Sequence, residues 1–134
     1  MFANLNNAPT SVDTTKDSVV IKRYFDGYDG GRTLDVTALP ASMTVIVAGH
    51  PIIQETSTGN FKPMPVTGDP ATAYAALPAG HTYAGVLRSS VVRAKPFAAI
   101  MTQGTVNPNA TPFPMTTILA AVKTALPLIE FRAD

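Results

Sequence analysis

The chain has 134 residues and a formal net charge of +1. That length favours one domain, and the charge leaves no basic footprint for nucleic acid. There is no cysteine, so disulfides and thiolate metal sites are excluded and redox chemistry does not report the compartment.

Twelve prolines and nine glycines cut the chain into short elements, which favours an all-β or β-rich fold. Only 14% of residues are charged, against about a quarter in typical domains. A surface committed to protein contacts explains this, and so does a surface of Thr, Ser and Asn; composition leaves both open. No run of about 18 apolar residues reads as a membrane-spanning helix. The first residues lack the basic and apolar regions of a secretory signal.

Residues 1–17 are polar and carry no strand or helix period. They read as an extended arm, either without a role or ordering on a partner by adding a strand to a sheet edge. Phe2 and Leu5 would be its apolar anchors. Residues 18–25, β-branched and aromatic, read as a strand. DGYDGG over residues 26–31 reads as a turn, and residues 32–39 alternate as a half-buried strand. The two strands would pair as a hairpin. Asp26, Asp29 and Asp35 do not fit the spacing of a helix-flanked calcium loop, and turn chemistry accounts for them.

Val45 to Val47 form a strand core, Gly49, His50 and Pro51 a bend, and Ile52 and Ile53 a short apolar step. Residues 60–66 return as an extended strand, which Pro63 and Pro65 confine to an edge. Residues 68–80 are a connector with space for one helical turn between Pro70 and Pro78. The centre of the chain reads as a hairpin of residues 83–92 and 97–106, with a turn over residues 93–96. Gly85 and Gly104 interrupt its strands and mark bulges or close backbone approaches. After the proline-spaced loop of residues 107–115, Thr116 or Thr117 would cap a helix with Ile118, Leu119, Val122, Ala125 and Leu126 on one face. Pro127 ends it. Residues 128–131 close the chain as a strand with Glu130 on the wet face.

The chain therefore reads as mainly β: a small barrel or sandwich with one short C-terminal helix and an extended N-terminal arm. The arm is residues 1–17 and the single β-rich domain is residues 18–134. No enzyme signature is present. His50 and His81 each sit beside a turn residue and lack the partners of a metal site or a triad. No catalytic residue, metal or cofactor is expected.

Four segments occur in a telling order: AGHPII over residues 48–53, NFKPMPV over 60–66, YAGVLRSSVV over 83–92 and FAAIMTQGTVN over 97–107. Together with the helix and last strand, this order resembles the tailed-phage head decoration proteins and the auxiliary capsid (head fibre-like) proteins of phages of gut bacteria. The resemblance covers residues 44–131, and the hairpin of residues 18–39 departs from it. It implies a β-barrel or β-tulip domain on the outer capsid surface of the virion, bridging subunits of the major capsid protein and stabilising the expanded shell. Phe2, Leu5, Asn6 and Pro9 would be the capsid-binding residues of the arm. A homotrimer at three-fold points and a monomer at capsomer centres are both consistent with the family. No contact with nucleic acid or membrane is implied. The alternatives are another virion part, a head fibre base or tail component, or a carbohydrate-binding β-sandwich module. The last would need a sugar-stacking platform, for which Tyr24, Tyr28 and Tyr74 are the candidates.

Overall fold

The computed structural model describes residues 11–133. In chain order the elements are α1 (Asp17–Val20), β1 (Ile21–Gly27), β2 (Arg32–Thr33), β3 (Val45–Ile46), β4 (Pro51–Glu55), β5 (Phe61–Pro63), β6 (Val66–Thr67) and β7 (Ala73–Tyr74). There follow β8 (His81–Leu87), β9 (Val91–Val92), β10 (Phe97–Ala98), β11 (Ile100–Val106), α2 (Leu119–Ala125) and β12 (Ile129–Phe131).

A six-stranded sheet organises these elements in the order β1-β11-β8-β4-β5, with β12 added parallel to β11. Three two-stranded sheets accompany it: β10–β2, β3–β9 and β6–β7. The fold is mainly β and sandwich-like. None of these sheets closes into a barrel, which corrects the barrel alternative.

Successive residues of a strand point to opposite faces, and here both faces are covered. Ile53, Val86 and Met101 enter one buried cluster, with Val20, Met115, Ile118, Val122 and Leu126. Their neighbours Ile52, Leu87 and Ile100 enter the other, with Leu34, Leu39, Ile46 and Ala98. Double coverage accounts for the unbroken apolar steps at Ile52 and Ile53 and at Val86 and Leu87, which a strand with one wet face would not carry.

The central hairpin exists, but it is shorter than its sequence implies. Leu87 pairs with Ile100 and Val86 with Met101. Beyond this pair each arm leaves the sheet. Val91 and Val92 pair with Ile46 and Val45, and Phe97 and Ala98 pair with Thr33 and Arg32. These departing ends build the layer that covers the second cluster. Both expected glycine effects are present. A Cβ on Gly85 would lie 2.5 Å from the Met101 carbonyl oxygen and 2.7 Å from Ile100 Cγ2. One on Gly104 would strike the Arg23 carbonyl oxygen. The β4–β8 register also slips where Ile52 opposes Gly85 and Ile53 opposes Tyr83, which leaves Ala84 as the extra residue of a bulge.

Four expectations are corrected. Residues 18–20 belong to the α1 turn rather than to a strand. There is no hairpin over residues 18–39, because β1 pairs with β11 and β2 with β10. The connector between β6 and β7 is a small hairpin with a cis Asp69–Pro70 bond, where a helical turn was expected. Neither Thr116 nor Thr117 caps α2: its N-cap is Ile118, with no side-chain hydrogen bond. Ala125 is exposed, while Ile118, Val122 and Leu126 are buried as the helical period requires. β5 is a sheet edge, as its prolines demand, and Glu130 is exposed between buried Ile129 and half-buried Phe131.

Candidate functional site

The arm residues Phe2, Leu5, Asn6 and Pro9 lie outside the described residues. What is described is where the arm joins the fold. The Asp17 carboxylate accepts hydrogen bonds from the Ser90 N–H at 2.9 Å and the Ser90 hydroxyl at 2.7 Å. The Ser90 hydroxyl oxygen in turn accepts from the Ala48 N–H at 3.0 Å. Val20 is buried and rests on Gly49, whose φ of 91° and bare Cα leave space for its Cγ1. Asp17 and Val20 therefore fasten the chain to the core immediately before β1.

β1 is the outer strand of the main sheet, and residues 22–26 are all exposed. Its register against β11 advances two residues for one between Ile21 and Arg23, and again between Tyr24 and Asp26. Lys22 and Phe25 are thus bulged residues. Bulges and charges on an edge strand interrupt the row of backbone groups that another strand would need. The strand presents side chains instead. Phe25 is 60% exposed and Tyr24 38%. The Arg88 guanidinium stacks 3.8 Å from the Tyr24 ring centre, and that of Arg23 lies 5.6 Å from the Phe25 ring. Stacking holds both guanidinium groups in place, and among the described residues their N–H groups make no hydrogen bond. Sequence reasoning treated residues 18–25 as an ordinary strand. The signal it passed over was the run of Lys, Arg, Tyr, Phe and Asp over residues 22–26, which offers no apolar face of its own.

The histidines divide. His50 is buried, with Nε2 2.8 Å from the Met64 carbonyl oxygen and edge-on contacts to Tyr74 and Phe113. Burial drives its pKa down to about 4, against a smaller upward pull from the Met64 carbonyl. It anchors the bend before β4 to Met64, just past the end of β5. His81 Nδ1 lies 2.9 Å from the Ala79 carbonyl oxygen, and the residue stands opposite Glu55 in the sheet. Asp35 accepts from the Thr37 N–H and hydroxyl, as a turn carboxylate does, whereas Asp26 lies within β1 and accepts from the Gly27 N–H. Among the described residues no three of His, Asp and Glu gather as a metal site.

The three tyrosines do not form one platform. Tyr74 is buried in the core, and burial raises the pKa of its hydroxyl, which lies near the Phe113 backbone without an aligned hydrogen bond. Tyr28 packs edge-on against Phe61 and carries Arg32 over its ring. Only Tyr24 is left on the open surface. No family model, curated protein or solved structure matches the chain.

Proposed function

We propose that the chain is an auxiliary capsid protein of a tailed phage, binding the outer surface of the shell and bridging subunits of the major capsid protein. The order of segments over residues 44–131 supports the family. The observation that carries the proposal is the β1 surface. Tyr, Phe and Arg are the residue types enriched where proteins meet, and here they stand together on one exposed strand.

The arm leads in sequence into α1 and β1, and on this reading both engage neighbouring capsid subunits. Ordering the arm costs roughly 1–2 kcal/mol per residue fixed, offset by burial of Phe2 and Leu5 and by main-chain hydrogen bonds made on a capsid sheet. Several modest contacts suffice, because each one made raises the effective concentration for the next.

Quantitative mass spectrometry of this chain against the major capsid protein in purified virions tests the proposal. A ratio near one, or a simple fraction of it, is expected. A handful of copies per particle would instead indicate a head fibre base or tail component, and absence from virions would refute a virion role. Deleting residues 1–16 should lower occupancy of the shell, and full occupancy would remove the arm from the mechanism.

A further inference from the structure

A second exposed surface has a different chemistry. Thr33 of β2 pairs with Phe97 of β10, and Leu34 bridges Phe61 of β5 in parallel register. The Leu34 N–H donates to the Pro96 carbonyl at 2.8 Å, and the Asp35 N–H to the Phe61 carbonyl at 2.9 Å. β10, residues 32–35 and β5 therefore run side by side as a small three-stranded strip. Leu34 is buried in the core, so strand alternation turns Thr33 and Asp35 outward. Phe97, directly opposite Thr33, turns the same way and is 61% exposed.

The Phe97 ring is held in place. Gly31 has a φ of 72°, and a Cβ there would lie 2.9 Å from Phe97 Cε1. The ring edge thus rests on the bare backbone of the turn while much of its surface faces solvent. Beside it lies a groove of about 520 Å³ between β2 and β5, lined in part by Arg32, Thr33, Asp35 and Asn60. Its polar groups have capacity to spare. The side chains of Asn60 and Thr33 make no hydrogen bond among the described residues. Asp35 uses one oxygen on Thr37, and among the described residues its Oδ2 makes no hydrogen bond. Arg32 spends Nη1 on the carbonyls of Asp29 and Gly31 and keeps its other N–H groups.

We propose that this face is a saccharide-binding site, with the C–H face of a sugar ring stacked on Phe97 and sugar hydroxyls held by Asn60 and Asp35. A sugar combines an apolar ring face with a rim of hydroxyls that both donate and accept. An exposed aromatic ring beside a free amide and a free carboxylate oxygen matches that combination. From Phe97 across Thr33 to Asn60 is two strand spacings, about 10 Å, enough for two linked rings. The site is built from β2, β5 and β10 and does not depend on the capsid reading.

The test is an amide-shift NMR titration of the ¹⁵N-labelled full chain with linear oligosaccharides of glucose, mannose, galactose and N-acetylglucosamine, each to about 10 mM. At least one should give saturable shifts at Gly31, Thr33, Asp35 and Asn60, with a millimolar Kd. Phe97→Ala and Asn60→Ala should each bind it at least about tenfold more weakly. Both side chains are exposed, so the variants should keep a dispersed spectrum. If Phe97→Ala does not fold, Phe97→Leu and Asn60→Ala decide. No saturable shift with any probe, shifts confined to another face, or unchanged binding by the variants would overturn the proposal.

Discussion

His50 makes the stability of this protein depend on pH in a window where few other groups titrate. A carbonyl oxygen only accepts, so the 2.8 Å contact with Met64 requires the proton on Nε2 of a neutral ring. The ring is buried against Tyr74 and Phe113, and adding a second proton there would place a charge in the core. The unfolded chain takes that proton near 6.5 and the folded chain only near 4. Between these values the unfolded state holds more protons, so stability rises with pH and is lost as pH falls. At about 1.4 kcal/mol per tenfold change in proton affinity, the full loss is about 3 kcal/mol, of which about 2 is lost by pH 5. That is a large share of the roughly 5–15 kcal/mol by which domains of this size are stable. Asp13 and Asp35 have pKa values lowered by Thr15 and Thr37 from an ordinary 3.8, and Glu55 by Thr58 from an ordinary 4.5, so their contributions are present at pH 5 and are lost as pH falls further. Urea unfolding at pH 7.5, 6 and 5 reads the effect, with His50→Gln as the control that cannot titrate. The wild type should lose about 2 kcal/mol more than the variant over this range. The His50 imidazole resonances of the folded protein should titrate near 4. Equal losses in both proteins, or a His50 that titrates near 6.5, would refute the reasoning.

Three further outcomes follow from packing. Gly85→Ala places a methyl 2.5 Å from the Met101 carbonyl oxygen at the centre of the sheet, and urea midpoints should show a loss of about 2–4 kcal/mol. Tyr74→Phe removes a buried hydroxyl that has no hydrogen-bond partner, so stability should stay level or rise by up to about 1 kcal/mol; a clear loss would reveal a partner. Asp17→Ala breaks both bonds to Ser90. It should cost about 1–3 kcal/mol, with faster amide exchange confined first to residues 17–20.

Local signals were legible where the physics is local. Prolines placed β5 on an edge, glycines marked the close approaches at Gly85 and Gly104, and the 3.6-residue period located α2. Pairing was not legible, because it depends on partners distant in sequence. The turn over residues 26–31 has two Asp-Gly steps, and a neighbouring strand on each side made a hairpin the economical reading. Yet Tyr24 pairs with Gly104 and Thr33 with Phe97. Those pairings let Leu34 and Ala98 close over Ile52 and Ile100 in the second cluster. The turn itself forms, with the Gly31 N–H donating to the Tyr28 carbonyl, but burial of both sheet faces outweighed direct pairing of the strands it joins.

The same competition explains why Phe25 and Phe97 escaped sequence reasoning, which named Tyr24 only as part of a platform with Tyr28 and Tyr74. Tyr24, Phe25 and Phe97 carry the β-forming and apolar character that ordinarily assigns a residue to the core. Tyr74, equally suited to a sugar platform by residue type, became part of the core because β7 folds back on β6. What separates the exposed aromatics from the buried one is backbone geometry. Two bulges turn β1 outward, and the left-handed turn at Gly31 gives Phe97 a backbone support in place of a hydrophobic pocket. Each device costs regular pairing or backbone freedom. Both exposed rings are therefore the places to test, Phe25 on a capsid and Phe97 on a saccharide.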